Sequence, residues 1–230
     1  MISYWIIFIV FALASYAVQA SLQRKFKRYS AVPVDSGLTG REVAEKMLRD
    51  NGIYDVTVTS TPGHLTDHYN PVNKTVNLSE SVYQSNSIAA AAVAAHECGH
   101  AVQHARAYAP LQMRSALVPV VSFASNWVQW ILLIGVFTIN MFPGVLLFGI
   151  VLFALTTLFS FITLPVEIDA SRRACAWLET AGITSPRNHS MAVSALRSAA
   201  YTRRGSPRFA GYAGLLYSDV PRRLPRRITV

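Results

Sequence analysis

The sequence predicts a mainly α integral membrane protein that carries a small α+β domain on its cytoplasmic side. Three observations lead there. The 230 residues are 52% hydrophobic and only 14% charged, with a mean hydropathy of +0.30, too apolar for an ordinary soluble domain of this length. The apolar residues gather in three blocks, each long enough for a bilayer core that takes about 20 residues to cross. Between and after these blocks lie polar segments with helix and strand signals, one of which holds two histidines at helical spacing.

The first block, Ile2 to Leu22, falls within residues 1–23 and is followed at once by Arg24, Lys25, Lys27 and Arg28. A signal peptide carries its positive charge before the apolar stretch and a small-residue cleavage site after it, so this block reads as an uncleaved transmembrane anchor. The positive-inside rule places Met1 outside and residue 30 onward in the cytoplasm. The second and third blocks, about Ala116 to Ile139 and Phe142 to Leu164, contain no Asp, Glu, Lys or Arg and form a transmembrane hairpin over residues 116–164. Its turn, Asn140 to Gly144, is uncharged, while Arg106 and Arg114 precede it and Arg172 and Arg173 follow, so both open ends belong on the basic, cytoplasmic side. A pair of core helices in a soluble protein is excluded by size, because 230 residues cannot cover them.

Residues 29–115 make the first cytoplasmic part. Thr39-Gly40-Arg41-Glu42 has capping-box spacing and opens a helix through Asp50, which Asn51-Gly52 ends. Asp55 to Thr61 alternates Val56 and Val58 with polar residues as a strand does, and Pro62-Gly63 closes it. Asp67 to Pro71 reads as a turn, and Lys74 to Leu78 as a second strand with Val76 and Leu78 on one face. That strand is either the edge that receives an extended substrate or a plain support for the next helix.

The next helix, within Ser87 to Ala107, contains His96-Glu97-Cys98-Gly99-His100. Histidines four apart project from one helical face about 5–6 Å apart, so both imidazoles can reach one zinc ion, with Glu97 beside its water as general base. Ala89 to Ala95 lead in almost without side chains, as suits a buried helix, where two histidines and a glutamate would be costly without a partner such as a metal, the alternative being a structural histidine pair satisfied by carbonyls. Cys98 is rotated about 200° from His96 and points away from the metal, so it is a packing residue. Zinc needs a third protein ligand and a position left for water. Glu167 and Asp169, just past the hairpin, are the only acids between Glu97 and Glu179. On a helix Glu167 shares its face with the small residues Ala170, Ser171 and Ala174, which allow close approach to the histidine helix. Asp169 faces elsewhere, to orient a histidine or to bond a neighbouring arginine. Glu167 is therefore the expected ligand. His104, one turn beyond His100, is the alternative, and would have to bind a metal already held one turn lower.

The segments His96 to Ala105, Leu164 to Ala174 and Gly63 to Tyr69, with Ser115 to Val120, resemble the YugP-type neutral zinc metallopeptidases of bacterial membranes, over the chain from the first span to about Tyr201. More distantly, the two zinc motifs are similar to those of HtpX-like and CAAX prenyl membrane proteases, in which a glutamate on a second helix completes the site. There an aspartate stands four residues after that glutamate, where this chain has Ser171. The resemblance implies a zincin-like cytoplasmic part, one Zn2+ ion bound by His96, His100 and Glu167, no further cofactor, and a multi-pass place in the bacterial plasma membrane. It implies hydrolysis of peptide bonds in a polypeptide substrate by a zinc-activated water, with Glu97 as base. His68, Tyr69 and Tyr83 are the candidates for stabilising the oxyanion.

Residues 165–201 form the second cytoplasmic part, and 202–230 a basic tail that reads as disordered. Relatives of this kind carry a final apolar segment in that place; Arg203, Arg204, Arg208, Arg222, Arg223, Arg226 and Arg227 stand here instead, an abrupt change that suggests a shifted reading frame. The net charge of +9 suits a cytoplasm-facing membrane protein and calls for no nucleic-acid partner. Besides the peptidase, two other classes fit the pattern: a catalytically idle membrane scaffold, and a site-2-type intramembrane protease, against which stand the three histidines and Arg106 of the metal helix.

Overall fold

The computed structural model describes residues 2–63 and 66–202; His64, Leu65 and the basic tail from Arg203 lie outside it. Helix α1 (Ile2–Ser30) runs through the first apolar block and its basic flank without a break. Its far end is anchored to the last helix, α7 (Pro186–Thr202): Lys25 Nζ donates to Ser198 Oγ at 2.9 Å, and Tyr29 Oη to Ser194 Oγ at 3.2 Å.

Helix α2 (Gly40–Asp50) begins where the capping box predicts. Thr39 accepts from the Glu42 amide while the Glu42 carboxylate accepts from the Thr39 amide at 2.8 Å, which satisfies two amides that a helix start leaves open. Three strands follow: β1 (Thr57–Thr61), β2 (His68–Asn70) and β3 (Thr75–Ser79). They form one sheet in the order β1-β3-β2, β1 parallel to β3 and β2 antiparallel to it. The segment expected to be only a turn thus contains a strand. Asn70 makes the turn itself, accepting from the Val72 and Asn73 amides, and Lys74 takes a positive φ of 51° to close the hairpin. A short helix, α3 (Glu80–Tyr83), leads to α4 (Ile88–Ala105), which Ser87 caps by accepting from the Ala90 amide. Ala89 to Ala92, Ala94 and Ala95 are buried, and the core is built around them from Val43, Met47, Val76, Leu78, Leu178 and Ile183.

Helices α5 (Ala109–Phe137) and α6 (Pro143–Thr180) form the expected antiparallel hairpin. Both are long and apolar enough to cross a membrane, and only 17% and 11% of their most apolar windows are buried in the protein. Uncovered apolar surface of this extent points to membrane association. The two helices touch through glycine: a Cβ on Gly135 would lie 2.6 Å from Leu146 Cα. Helix α6 differs from expectation in its continuity. The third apolar block and the Glu167 segment are one helix of 38 residues that passes through Pro165, so the expected division at Leu164 is not a break in structure.

Candidate metal site

Helix α4 brings His96, Glu97 and His100 into the core from one side, and α6 brings Glu167 from the other. The two backbones meet at Gly99, where a Cβ would stand 2.7 Å from the Ala170 carbonyl oxygen. Small residues on the Glu167 face, Ala170, Ser171 and Ala174, are all buried in this contact. Glu167 Oε2 therefore reaches 3.3 Å from His96 Nε2 and 3.7 Å from His100 Nε2. These three side chains are buried, and one potential ligand atom from each lies within 4.8 Å of the others, a group that could hold a metal ion.

The surrounding hydrogen bonds set which imidazole nitrogen faces the centre. Gln103 donates its amide to Val166 O and to Asp169 Oδ2, both at 2.8 Å, so its Oε1, 3.0 Å from His100 Nδ1, must be the acceptor. His100 then carries a proton on Nδ1 and turns Nε2 inward. Ser171 Oγ lies 3.1 Å from His96 Nδ1 and leaves that residue's Nε2 to face Glu167. Two inward-facing imidazole Nε2 atoms and one carboxylate form a donor set suited to zinc once the Nε2 protons are given up.

The three side chains are also coupled by charge. Burial pushes the Glu167 carboxyl upward, but the hydrogen bonds and charges of His100 and His96 outweigh it and hold the group far below the usual carboxylate range. Burial pulls His100 downward, and Glu167, Glu97 and Gln103 together raise it above the ordinary imidazole value. Glu97, on the same helix, is buried, and its Oε2 accepts the Tyr69 amide at 3.1 Å.

Other sequence candidates fall into place around this centre. Cys98 points its Sγ at the Ala44 carbonyl, 3.6 Å away on α2, in the packing role expected of it. His104 is exposed and pairs with Tyr69 Oη at 2.8 Å rather than joining the three ligand candidates. Of the two roles considered for Asp169, the bond to an arginine is present, Arg173 Nε donating to it at 2.6 Å, while the acceptor facing His100 is Gln103, which in turn donates to Asp169. His68 is exposed and bonded to Thr66 O, and Tyr83 packs under Arg41 beside α2, so neither of these side chains turns to the metal group. Gln103 and Arg114 escaped the sequence reading as site residues. Gln103 had a signal, since it is a polar side chain three residues from His100 on the same face of an alanine-rich helix. Arg114, whose Nη1 is 3.4 Å from Glu167 Oε1, read only as a topology charge.

Comparison with known proteins agrees with the site. Residues 4–203 match a family model described as "Putative neutral zinc metallopeptidase". The chain is 44% identical over 160 residues to the "Putative membrane protease YugP" of Bacillus subtilis (strain 168), an overlap that covers 70% of each protein. No solved structure matches the chain.

Proposed function

Since the chain belongs to the neutral zinc metallopeptidase family, we propose that it is a membrane-anchored zinc endopeptidase in which His96, His100 and Glu167 hold one ion and Glu97 is the general base. The observation that carries this reading is the convergence of two imidazole Nε2 atoms and one carboxylate, all buried, beside a second buried carboxylate. Zinc in such a set supplies a Lewis acid and lowers the pKa of its bound water towards 7.

The protein's own groups do the rest. Gln103 and Ser171 fix the two rings by their Nδ1 atoms. Glu97 takes the proton of the attacking water and gives it to the leaving amine. Its carboxylate is oriented by the Tyr69 amide. That amide also locates the substrate. β3 is paired on both sides and cannot receive a peptide, which sets aside the strand first considered for that role. β2 is an edge strand, and at Tyr69 its outer side faces Glu97, so an extended polypeptide added along β2 lies against the base.

In this reading α1, α5 and α6 cross the membrane with their basic ends in the cytoplasm. Glu167 follows the apolar stretch by three residues, about 4.5 Å of helix rise, which sets the site at the membrane surface and favours membrane-associated polypeptides as substrates. The test uses full-length protein in detergent. Wild type binds one zinc and cleaves casein; Glu97→Gln keeps the zinc and loses cleavage; His96→Ala and Glu167→Ala lose both. Undiminished cleavage by purified Glu97→Gln would falsify the reading.

A further inference from the structure

Arg114 is the only charged residue from Ala107 to Val166. It stands in the second turn of α5, at the base of the hairpin, and its guanidinium is turned towards the metal group instead of away from it. The two oxygens of Glu167 are divided between partners. Oε2 faces the imidazoles at 3.3 and 3.7 Å, and Oε1 faces Arg114 Nη1 at 3.4 Å. The Glu167 side chain is 6% exposed and that of Arg114 30%, so the pair sits where charge is poorly hydrated and a cation so placed acts strongly on its neighbour.

We propose that Arg114 is a positioning residue that makes Glu167 a one-oxygen ligand; the inference rests on the zinc reading above. A carboxylate beside a cation can bind through one oxygen or chelate through both. A guanidinium directed at Oε1 draws on its lone pairs and restrains rotation about the last side-chain bond, so that Oε2 alone is presented to the ion. The coordination position that a chelating carboxylate would fill is left to water. Arginine suits the task because it stays charged at any working pH and offers its donors in a rigid fork. Placing it on α5 also couples the two hairpin helices at the point where one of them supplies the ligand.

The experiment measures metal binding as well as activity. Zinc affinity of the full chain in detergent is determined by competition with a chromophoric chelator, and the visible spectrum is recorded after replacement by cobalt, for wild type, Arg114→Met and Arg114→Gln. Both variants are expected to bind zinc about 10- to 100-fold more weakly, the usual effect of removing a group that orients a ligand. Their cobalt bands should weaken as the freed carboxylate raises the coordination number, and Arg114→Lys should recover part of the affinity. Unchanged affinity or an unchanged cobalt spectrum in the neutral variants overturns the proposal and leaves Arg114 as a topology charge. Should Arg114→Met not fold, Arg114→Gln is read by the same two criteria. A wild-type protein that binds no zinc removes the metallopeptidase reading and this inference with it, whereas zinc-binding wild type with indifferent variants removes the inference alone.

Discussion

Gln103 accepts from His100 Nδ1 and donates to the α6 carbonyl of Val166, so one side chain fixes a ring of the candidate metal site and fastens its two helices together. It is wholly buried, as its satisfied hydrogen bonds permit. Gln103→Leu keeps much of the volume and removes the acceptor, leaving the His100 ring free to turn. Zinc affinity is expected to fall about 10- to 100-fold, with chelator competition as the measurement. Asp169→Asn should cost less, because it acts on His100 only through Gln103.

Gly99 sets the distance between α4 and α6. A methyl group there would meet backbone, the Ala170 carbonyl oxygen at 2.7 Å, and backbone cannot rotate aside as a side chain can. Gly99→Ala would gain helix propensity on an exposed helix, but here the clash wins. The variant is expected to lose about 1–3 kcal/mol of stability, as overpacked cores do, and to bind zinc more weakly because the histidines and Glu167 are forced apart. Thermal unfolding and metal titration check the two effects separately. A melting temperature equal to wild type would show that the helices separate without cost.

The metal group was legible in the sequence because it depends on helix phase. His96, Glu97 and His100 follow from a spacing of four, and Glu167 from the scarcity of acids together with the rotation that sends Asp169 elsewhere. What was not legible depends on packing between segments. β2 is three residues long, preceded by Asp67 and ending in Asn70, both turn formers, and becomes a strand only by pairing with β3. The unbroken α6 was hidden by the end of the apolar block and by Pro165, since backbone hydrogen bonding continues across a boundary that hydropathy marks sharply. Arg114 belongs to a helix whose rotation is set by its contact with α6, which no single-segment pattern reports.

The α2 capping box gives a pH-dependent test of local stability. Hydrogen bonds from the Thr39 backbone and side chain hold the Glu42 carboxyl below its ordinary value. A carboxyl lowered on folding contributes stability that is present above its unfolded-state pKa and is lost as the pH falls through its folded-state pKa. Glu42→Gln keeps a capping partner but no charge. Wild type should therefore melt slightly higher than Glu42→Gln near neutral pH, and the gap should close on acidification to below the usual carboxylate range. A gap independent of pH would show that the charge contributes nothing.

Tyr69 offers a way to separate backbone from side chain at the site. Its amide donates to Glu97, and its hydroxyl pairs with His104 Nδ1. Because that amide points to the helix, it takes no part in the pairing of β2 with β3, and proline at this place deletes the bond to Glu97 without removing a rung of the sheet. A hydrogen bond to a charged group contributes about 1.5–3 kcal/mol, so Tyr69→Pro is expected to lower kcat by about tenfold or more. Tyr69→Phe keeps the amide and loses only the contact with the exposed His104, and should cleave at close to the wild-type rate. Zinc content should be the same in both, since neither change touches a ligand or the residues that hold it. The informative comparison is between the two variants: if Phe proves as damaging as Pro, the contact with His104 and not the amide bond to Glu97 carries the effect, and the edge of β2 loses the substrate-binding place proposed for it.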